Sequence, residues 1–132
     1  MASDEKIKNI FGQFEKAFSR LKEAVAIKEE SEIKRDVVIK RFEFTYELLW
    51  KMIKRIAAAE KIEAFSPKSA FSAGLQLGLI DDESLFVEII DARNKTSHVY
   101  SELTAQEIYD FILEKVVAAF DGVKAKIVQK YV

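Results

Sequence analysis

The chain has 132 residues, of which 49% are hydrophobic and 33% charged, and its formal net charge is −1. This length and composition fit a single domain over residues 1–132, and the near-neutral charge does not indicate a general nucleic-acid binder. The absence of cysteine excludes disulfides, thiolate metal sites and cysteine catalysis.

The chain shows no targeting signal and no membrane segment. No apolar run reaches the roughly 18 residues that cross a bilayer. The N-terminus lacks the apolar stretch of a signal peptide. Because a chain without cysteine also agrees with a reducing compartment, we predict a cytoplasmic protein with no membrane association.

Apolar residues recur at steps of three and four along most of the chain, which predicts amphipathic helices. The first helix covers about residues 4–28, and Ser31 is a candidate N-cap for a second helix that runs to about Lys61. The second helix carries aromatic residues on more than one face, and this pattern indicates a central bundle position or a subunit contact. These aromatic residues are Phe42, Phe44, Tyr46 and Trp50.

Two shorter helices follow. Ser66 with Pro67 is typical of a helix start, because proline at the first helical position loses no hydrogen bond. Gly78 is a candidate left-handed cap where this third helix ends. Asp81 or Asp82 is then expected to cap a fourth helix.

The last predicted helix opens at the capping box Thr104-Ala105-Gln106-Glu107. The apolar stripes are candidate core, and replacing Phe14 or Phe111 with alanine would cost about 3–5 kcal/mol if each is buried. No segment shows the sustained alternation of a strand. We therefore predict an all-α fold, an up-and-down antiparallel bundle of about five helices.

Charge is unevenly distributed between two segments. Lys34–Lys61 holds eight basic and four acidic residues, whereas Asp81–Asp91 holds five acidic residues and no basic one. Two interpretations are open. The segments are neighbouring helices that neutralise each other, or the basic segment presents a face to an acidic partner or an RNA backbone.

The densest polar cluster runs from Arg93 to Tyr100, and it contains the only histidine of the chain, His98. One histidine and no cysteine argue against a metal site built from several such ligands, and no glycine-rich phosphate loop is present. We therefore predict no metal and no cofactor. Asn94 and His98 share nearly one helical face, whereas Arg93 is turned about 140° from His98. Arg93 and His98 can converge if the helix ends near Ser97 or if a second subunit contributes.

Arginine and histidine together suit phosphate chemistry. A guanidinium keeps its charge and binds phosphate, and an imidazole exchanges a proton near neutral pH. His98 could move the proton of a 2′-hydroxyl or of the leaving oxygen while Arg93 stabilises charge at phosphorus. Alternatively, both residues cap helix carbonyls or pair with a carboxylate such as Asp91, and Tyr100 is a half-buried hydrogen-bonding aromatic.

Several motifs in register resemble the nucleotidyltransferase substrate-binding-protein-like family, which belongs to the HEPN group of helical proteins. The resemblance covers nearly the whole chain. It rests on Arg41–Lys51, Ser66-Pro67, Ala73-Gly74, Gly78-Leu79-Ile80, Asp91–Tyr100 and Thr104–Tyr109. It implies a fold similar to the helical C-terminal domain of kanamycin nucleotidyltransferase. It also implies association with a separate minimal nucleotidyltransferase and a homodimer with two motifs around one cleft.

Two functions follow from the resemblance. In the first, the protein is the RNase toxin of a toxin–antitoxin pair with an Arg-x4-His-x-Tyr motif. Arg93 and His98 are then catalytic, Asn94 assists, and Tyr100 accepts the AMP with which the partner silences the toxin. In the second, the protein is a non-catalytic subunit that binds the substrate or a nucleotide for a two-component nucleotidyltransferase.

Overall fold

The computed structural model describes residues 2–98 and 101–132, and within them the chain is helical with no strand. The sequence prediction of an all-α bundle is confirmed. The helices are α1 (Ala2–Val25), α2 (Glu32–Ala59), α3 (Pro67–Gln76), α4 (Glu83–Lys95), α5 (Glu102–Phe111) and α6 (Val117–Tyr131). A 3₁₀ turn, Thr96–His98, follows α4, and a π-helical turn, Ile112–Val116, joins α5 to α6 into one continuous rod. The described residues therefore form five rods.

Helix α2 occupies the centre of the bundle, as its aromatic pattern indicated. It packs against α1 along most of its length and also contacts α3 and α5. Phe42 and Tyr46 are fully buried, and Phe42 stacks on Phe120 of α6. Phe44 differs, because 66% of its side chain is exposed. The two-faced aromatic pattern of α2 therefore reflects a core side and one surface aromatic.

Most helix ends follow the local signals in the sequence. Ser31 caps α2 by accepting a hydrogen bond from the Lys34 amide, and Ser66 caps α3. Asp82, the second of the two candidates, caps α4. Gly78 has a φ of 76°, the left-handed conformation that an L side chain rarely adopts.

The start of the last rod differs from the prediction. Helix α5 begins at Glu102 because the Ser101 hydroxyl accepts a hydrogen bond from the Thr104 amide at 3.0 Å. The capping box proposed at Thr104–Glu107 is therefore wrong, and Thr104 lies inside the first turn. Phe111, expected in the core, is only partly buried.

The π-helical turn has a clear cause in the sequence. Four buried residues of this rod follow one another at steps of four: Ile108, Ile112, Val116 and Phe120. In a regular α-helix, steps of four drift around the helix, because one turn takes 3.6 residues. A wider π turn compensates for this drift and keeps all four side chains against the core.

The two charged segments do not neutralise each other. Among the described residues, cations of α2 pair with Glu30, with Glu102 and with acids of α2 itself. The acidic segment Asp81–Asp91 finds partners in Lys126 of α6 and Lys95 of α4. The first interpretation of the charge pattern is thus wrong for these ion pairs, and the second interpretation stays a prediction.

A polar network ties the α1–α2 connection to α5. The Glu30 carboxylate accepts hydrogen bonds from the buried Lys34 ammonium and from the Tyr109 hydroxyl, each at 2.7 Å. These hydrogen bonds, Lys34 first, lower the pKa of Glu30 below its ordinary value.

Among the described residues, no helix is both long enough and apolar enough to span a bilayer.

Candidate functional site

Arg93 lies in the last turn of α4 and is held by contacts that leave 24% of its side chain exposed. Its Nη1 atom lies 3.1 Å from Oε2 of Glu43, which belongs to α2. Its carboxylate partner is therefore Glu43 and not Asp91, which pairs with Lys95 at 3.1 Å. The contact holds the guanidinium between α4 and α2. Glu43 is itself only 22% exposed.

The hydroxyl of Thr96 completes this contact. It accepts a hydrogen bond from Arg93 Nη1 at 2.8 Å. Its own proton can go to Glu43 Oε2 at 2.9 Å or to the Arg93 carbonyl oxygen at 2.7 Å. Thr96 is buried in the 3₁₀ turn, and its hydroxyl therefore holds the guanidinium against the end of α4. We call Glu43, Arg93 and Thr96 the arginine clamp.

The structure places the other predicted site residues around the end of α4. Asn94 is exposed in its last turn, and His98 is exposed at the end of the 3₁₀ turn. The α-helix stops at Lys95, so the chain meets one of the two conditions under which Arg93 and His98 can converge. Tyr100, the predicted AMP acceptor, lies outside the described residues.

The arginine clamp borders an open cleft of about 490 Å³ between α2 and the start of α5. Glu43 and Thr96 line this cleft, together with two cations, Arg35 and Lys40, and two further acids, Asp36 and Glu102. The cleft therefore has mixed charge, and a phosphate that entered it would meet cations that are paired with carboxylates. The clamp is consequently a surface feature and not a buried ion pair of the core.

No group of three or more His, Cys, Asp or Glu side chains within residues 2–98 and 101–132 is arranged to hold a metal ion.

Three comparisons with known proteins identify the family. Residues 9–129 match the model of the family described as nucleotidyltransferase substrate binding protein like. The chain belongs to this family.

Known proteins resemble this chain in sequence and in fold. A Haemophilus influenzae protein named "Probable ribonuclease HepT" is 39% identical over 85 residues, a match that spans 58% of this chain and 58% of that relative. A crystal structure of a Thermus thermophilus protein superposes with a TM-score of 0.78 at 30% identity, covering 86% of this chain and 98% of that one.

A second structure, from Haemophilus influenzae, is described as revealing the fold of a substrate binding domain of a nucleotidyltransferase. It also gives a TM-score of 0.78, at 27% identity, over 90% of this chain and 99% of that one. This chain therefore shares its helical fold with both structures.

The sequence pattern did not identify two members of the arginine clamp, Glu43 and Thr96. Glu43 is 50 positions from Arg93 in the chain, and nothing local to Arg93 points to it. Glu43 does lie in the segment Arg41–Lys51 that carries the family resemblance, which is the one signal that could have indicated it. Thr96 was part of the polar cluster but received no role.

Proposed function

We propose that this protein is a HEPN-type endoribonuclease that cleaves RNA without a metal, and that it is the toxin of a toxin–antitoxin pair. The observation that carries the proposal is the arginine clamp, which holds Arg93 against Glu43 and Thr96 of the cleft lining while His98 is exposed three residues after α4 ends. The relative named as a ribonuclease supports the same activity.

The proposed reaction uses the RNA's own hydroxyl as nucleophile. His98 accepts the proton of the 2′-hydroxyl, the 2′-oxygen bonds to phosphorus, and the bond from phosphorus to the 5′-oxygen breaks. The leaving oxygen takes up a proton, so the products are a 2′,3′-cyclic phosphate and a 5′-hydroxyl. Arg93 stabilises the charge that develops on the phosphoryl oxygens, and Asn94 assists by hydrogen bonding.

A homodimer would suit this reaction. One imidazole must accept a proton and another group must donate one, and the chain has a single histidine. Two copies of the motif around one cleft would supply two imidazoles and two guanidinium groups. Glu43 and Thr96 are positioning residues in this scheme, because they contact Arg93 rather than the RNA.

The test is cleavage of single-stranded RNA by the purified protein in EDTA. Wild type should cleave, and His98→Ala or Arg93→Ala should lower kcat by about 10²–10⁴-fold. Lys95→Ala is the matched control, because Lys95 is an exposed cation in the same helical turn as Arg93. Equal cleavage by wild type and His98→Ala would show a contaminating nuclease and contradict the proposal.

We further propose that a separate minimal nucleotidyltransferase silences the protein by adding AMP to Tyr100. The phenol oxygen would attack the α-phosphorus of ATP and release pyrophosphate. Tyr46 and Tyr109 are poor competitors, because they are 2% and 3% exposed. Incubation with the partner and ATP should add the mass of one AMP, and Tyr100→Phe should abolish the adduct. An adduct that persists in Tyr100→Phe would contradict the assignment.

A second candidate is a non-catalytic subunit that binds a substrate or nucleotide for a separate nucleotidyltransferase. The similar Haemophilus influenzae structure, described as a substrate binding domain, favours it, and the cleft of about 490 Å³ has the size of a small-molecule site. This candidate predicts nucleotide affinity that Arg93→Ala weakens, with no loss of RNA. Titration calorimetry with ATP and with AMP separates it from the nuclease.

A further inference from the structure

A second concave surface lies between α1 and α2. It has a volume of about 490 Å³, and we call it the α1–α2 groove. Four cations line it: Lys16 and Arg20 from α1, and Lys40 and Arg41 from α2. None of the described residues that line it is acidic. The groove therefore has the charge expected of a site for an anionic ligand, although the whole chain is nearly neutral.

An exposed aromatic ring also lines the groove. Phe44 is 66% exposed, whereas Phe42 and Tyr46 on either side of it in sequence are buried. Phe44 thus adds little to the core, and its ring faces a concavity bordered by cations. A flat apolar ring beside positive charge is the arrangement that proteins use to stack the bases of single strands.

Among the groove cations, only Lys40 has a carboxylate partner within the described residues, Glu43. Within the described part of the chain, no ion pair joins Lys16, Arg20 or Arg41 to an acid. Arg41 instead donates a hydrogen bond from Nη1 to the Arg20 carbonyl oxygen at 2.7 Å. This bond bridges the two helices and holds one guanidinium in the groove with its charge uncompensated.

The groove and the cleft beside the arginine clamp share one lining residue. Lys40 lines both, and its Nζ atom lies 4.0 Å from Oε1 of Glu43. Glu43 in turn contacts Arg93. A ligand that extends along α2 from Phe44 past Lys40 would therefore enter the cleft lined by Glu43, the residue that contacts Arg93.

We propose that the α1–α2 groove binds single-stranded RNA, with a base stacked on Phe44 and backbone phosphates on the four cations, and delivers the strand to Arg93. The delivery step rests on the proposed nuclease function, whereas binding in the groove does not. RNA fits the groove because the exposed Phe44 ring lies among four cations with no acidic residue in the lining, which suits both bases and backbone phosphates.

The binding test measures the fluorescence anisotropy of a labelled oligouridylate. It is carried out with the His98→Ala protein, so that the RNA is not cleaved. Adding Phe44→Ala should weaken binding by about tenfold, the effect of losing one stacked base. Phe65→Ala is the matched control, because Phe65 is 75% exposed but lies outside the groove, before α3. Equal weakening by both changes, or by neither, would overturn the proposal.

The salt dependence tests the phosphate contacts. Each of Lys16→Ala and Arg20→Ala should reduce the slope of log affinity against log salt concentration by about 0.7. Lys54→Ala, an exposed cation of α2 that does not line the groove, should leave the slope unchanged. If the groove variants instead change the oligomeric state in light scattering while RNA affinity is retained, the groove is a subunit contact and the proposal is wrong.

Cleavage assays separate this proposal from the proposed function. In the otherwise wild-type protein, Phe44→Ala should raise KM for RNA and leave kcat nearly unchanged, whereas His98→Ala should remove kcat and leave binding intact. Cleavage that depends on His98 but not on Phe44, in kcat or in KM, would overturn the groove alone. Binding that depends on Phe44 without any cleavage that depends on His98 would support the groove and contradict the nuclease.

Discussion

Replacement of Glu43 by alanine is the sharpest perturbation that the structure offers. Glu43 is the carboxylate partner of Arg93 at 3.1 Å and accepts a hydrogen bond from Thr96 at 2.9 Å. The change removes both contacts and leaves a guanidinium that is 24% exposed without its counter-charge. We expect two separable consequences: lower stability and lower activity.

The stability loss can be estimated from these contacts. A hydrogen bond to a charged group contributes about 1.5–3 kcal/mol when buried. Because both partners are about one-fifth to one-quarter exposed, water compensates part of this loss. We therefore expect Glu43→Ala to cost about 1–2 kcal/mol, where each kcal/mol lowers Tm by about 4 °C in a domain of this size.

Asp91→Ala is the matched control for stability. Asp91 pairs with Lys95 at the same 3.1 Å, but both side chains are about 60% exposed. An exposed pair of this kind contributes only about 0.3–0.5 kcal/mol. Thermal and urea unfolding of the two variants should therefore differ clearly. Equal losses would refute the inference that partial burial makes the Glu43 contact the stronger one.

Activity tests whether Glu43 positions Arg93 or competes with RNA for it. If it positions the guanidinium, Glu43→Ala should lower kcat well below that of Asp91→Ala. Glu43→Gln should recover part of it, because an amide oxygen can still accept from Thr96 and Arg93. If Glu43 only competes with phosphate, removing it should lower KM and raise activity. That result would refute the positioning role.

Four further predictions concern the rest of the bundle. Phe14→Ala should cost about 3–5 kcal/mol in urea unfolding because Phe14 is fully buried, whereas Phe111→Ala should cost about 1–2 kcal/mol because Phe111 is partly exposed. Gly78→Ala should cost about 1–2 kcal/mol in the same assay, because Gly78 has a φ of 76°. The lowered pKa of Glu30 gives stability that is present above its ordinary value of 4.5 and is lost as pH falls through the folded value, so Glu30→Gln should flatten the acid side of the stability profile. Burial raises the pKa of Tyr46 to about 12, so stability should fall as pH rises above the ordinary value of 10.0, and Tyr46→Phe should weaken that fall.

Each of these predictions has a control within the chain or an outcome that would contradict it. Glu29→Gln, an exposed neighbour of Glu30, should leave the acid side of the profile unchanged. Gly12→Ala, where an added Cβ meets no atom within 4 Å, should not destabilise. Equal losses for Phe14→Ala and Phe111→Ala would contradict the assigned burial. Titration of Tyr46 near pH 10, followed by tyrosinate absorbance, would contradict its desolvation.

The sequence by itself determined the secondary structure and most of its boundaries. Steps of three and four specified the helices, and Ser31, Ser66, Asp82 and Gly78 set their ends. These signals can be read locally because helix hydrogen bonds and caps join residues no more than about four positions apart. The one misplaced cap arose because Ser101 and Thr104 both offer a hydroxyl, and local pattern alone did not rank them.

The tertiary structure decided what surrounds the candidate site. Sequence pattern selected Arg93 and His98, but only the tertiary fold brought Glu43 of α2 to Arg93 of α4 across 50 positions of sequence. Packing also decided that Phe44 faces the α1–α2 groove while Phe42 and Tyr46 turn into the core. Such contacts depend on how helices approach one another, and the relative placement of two helices is a property of the whole core and not of either sequence segment.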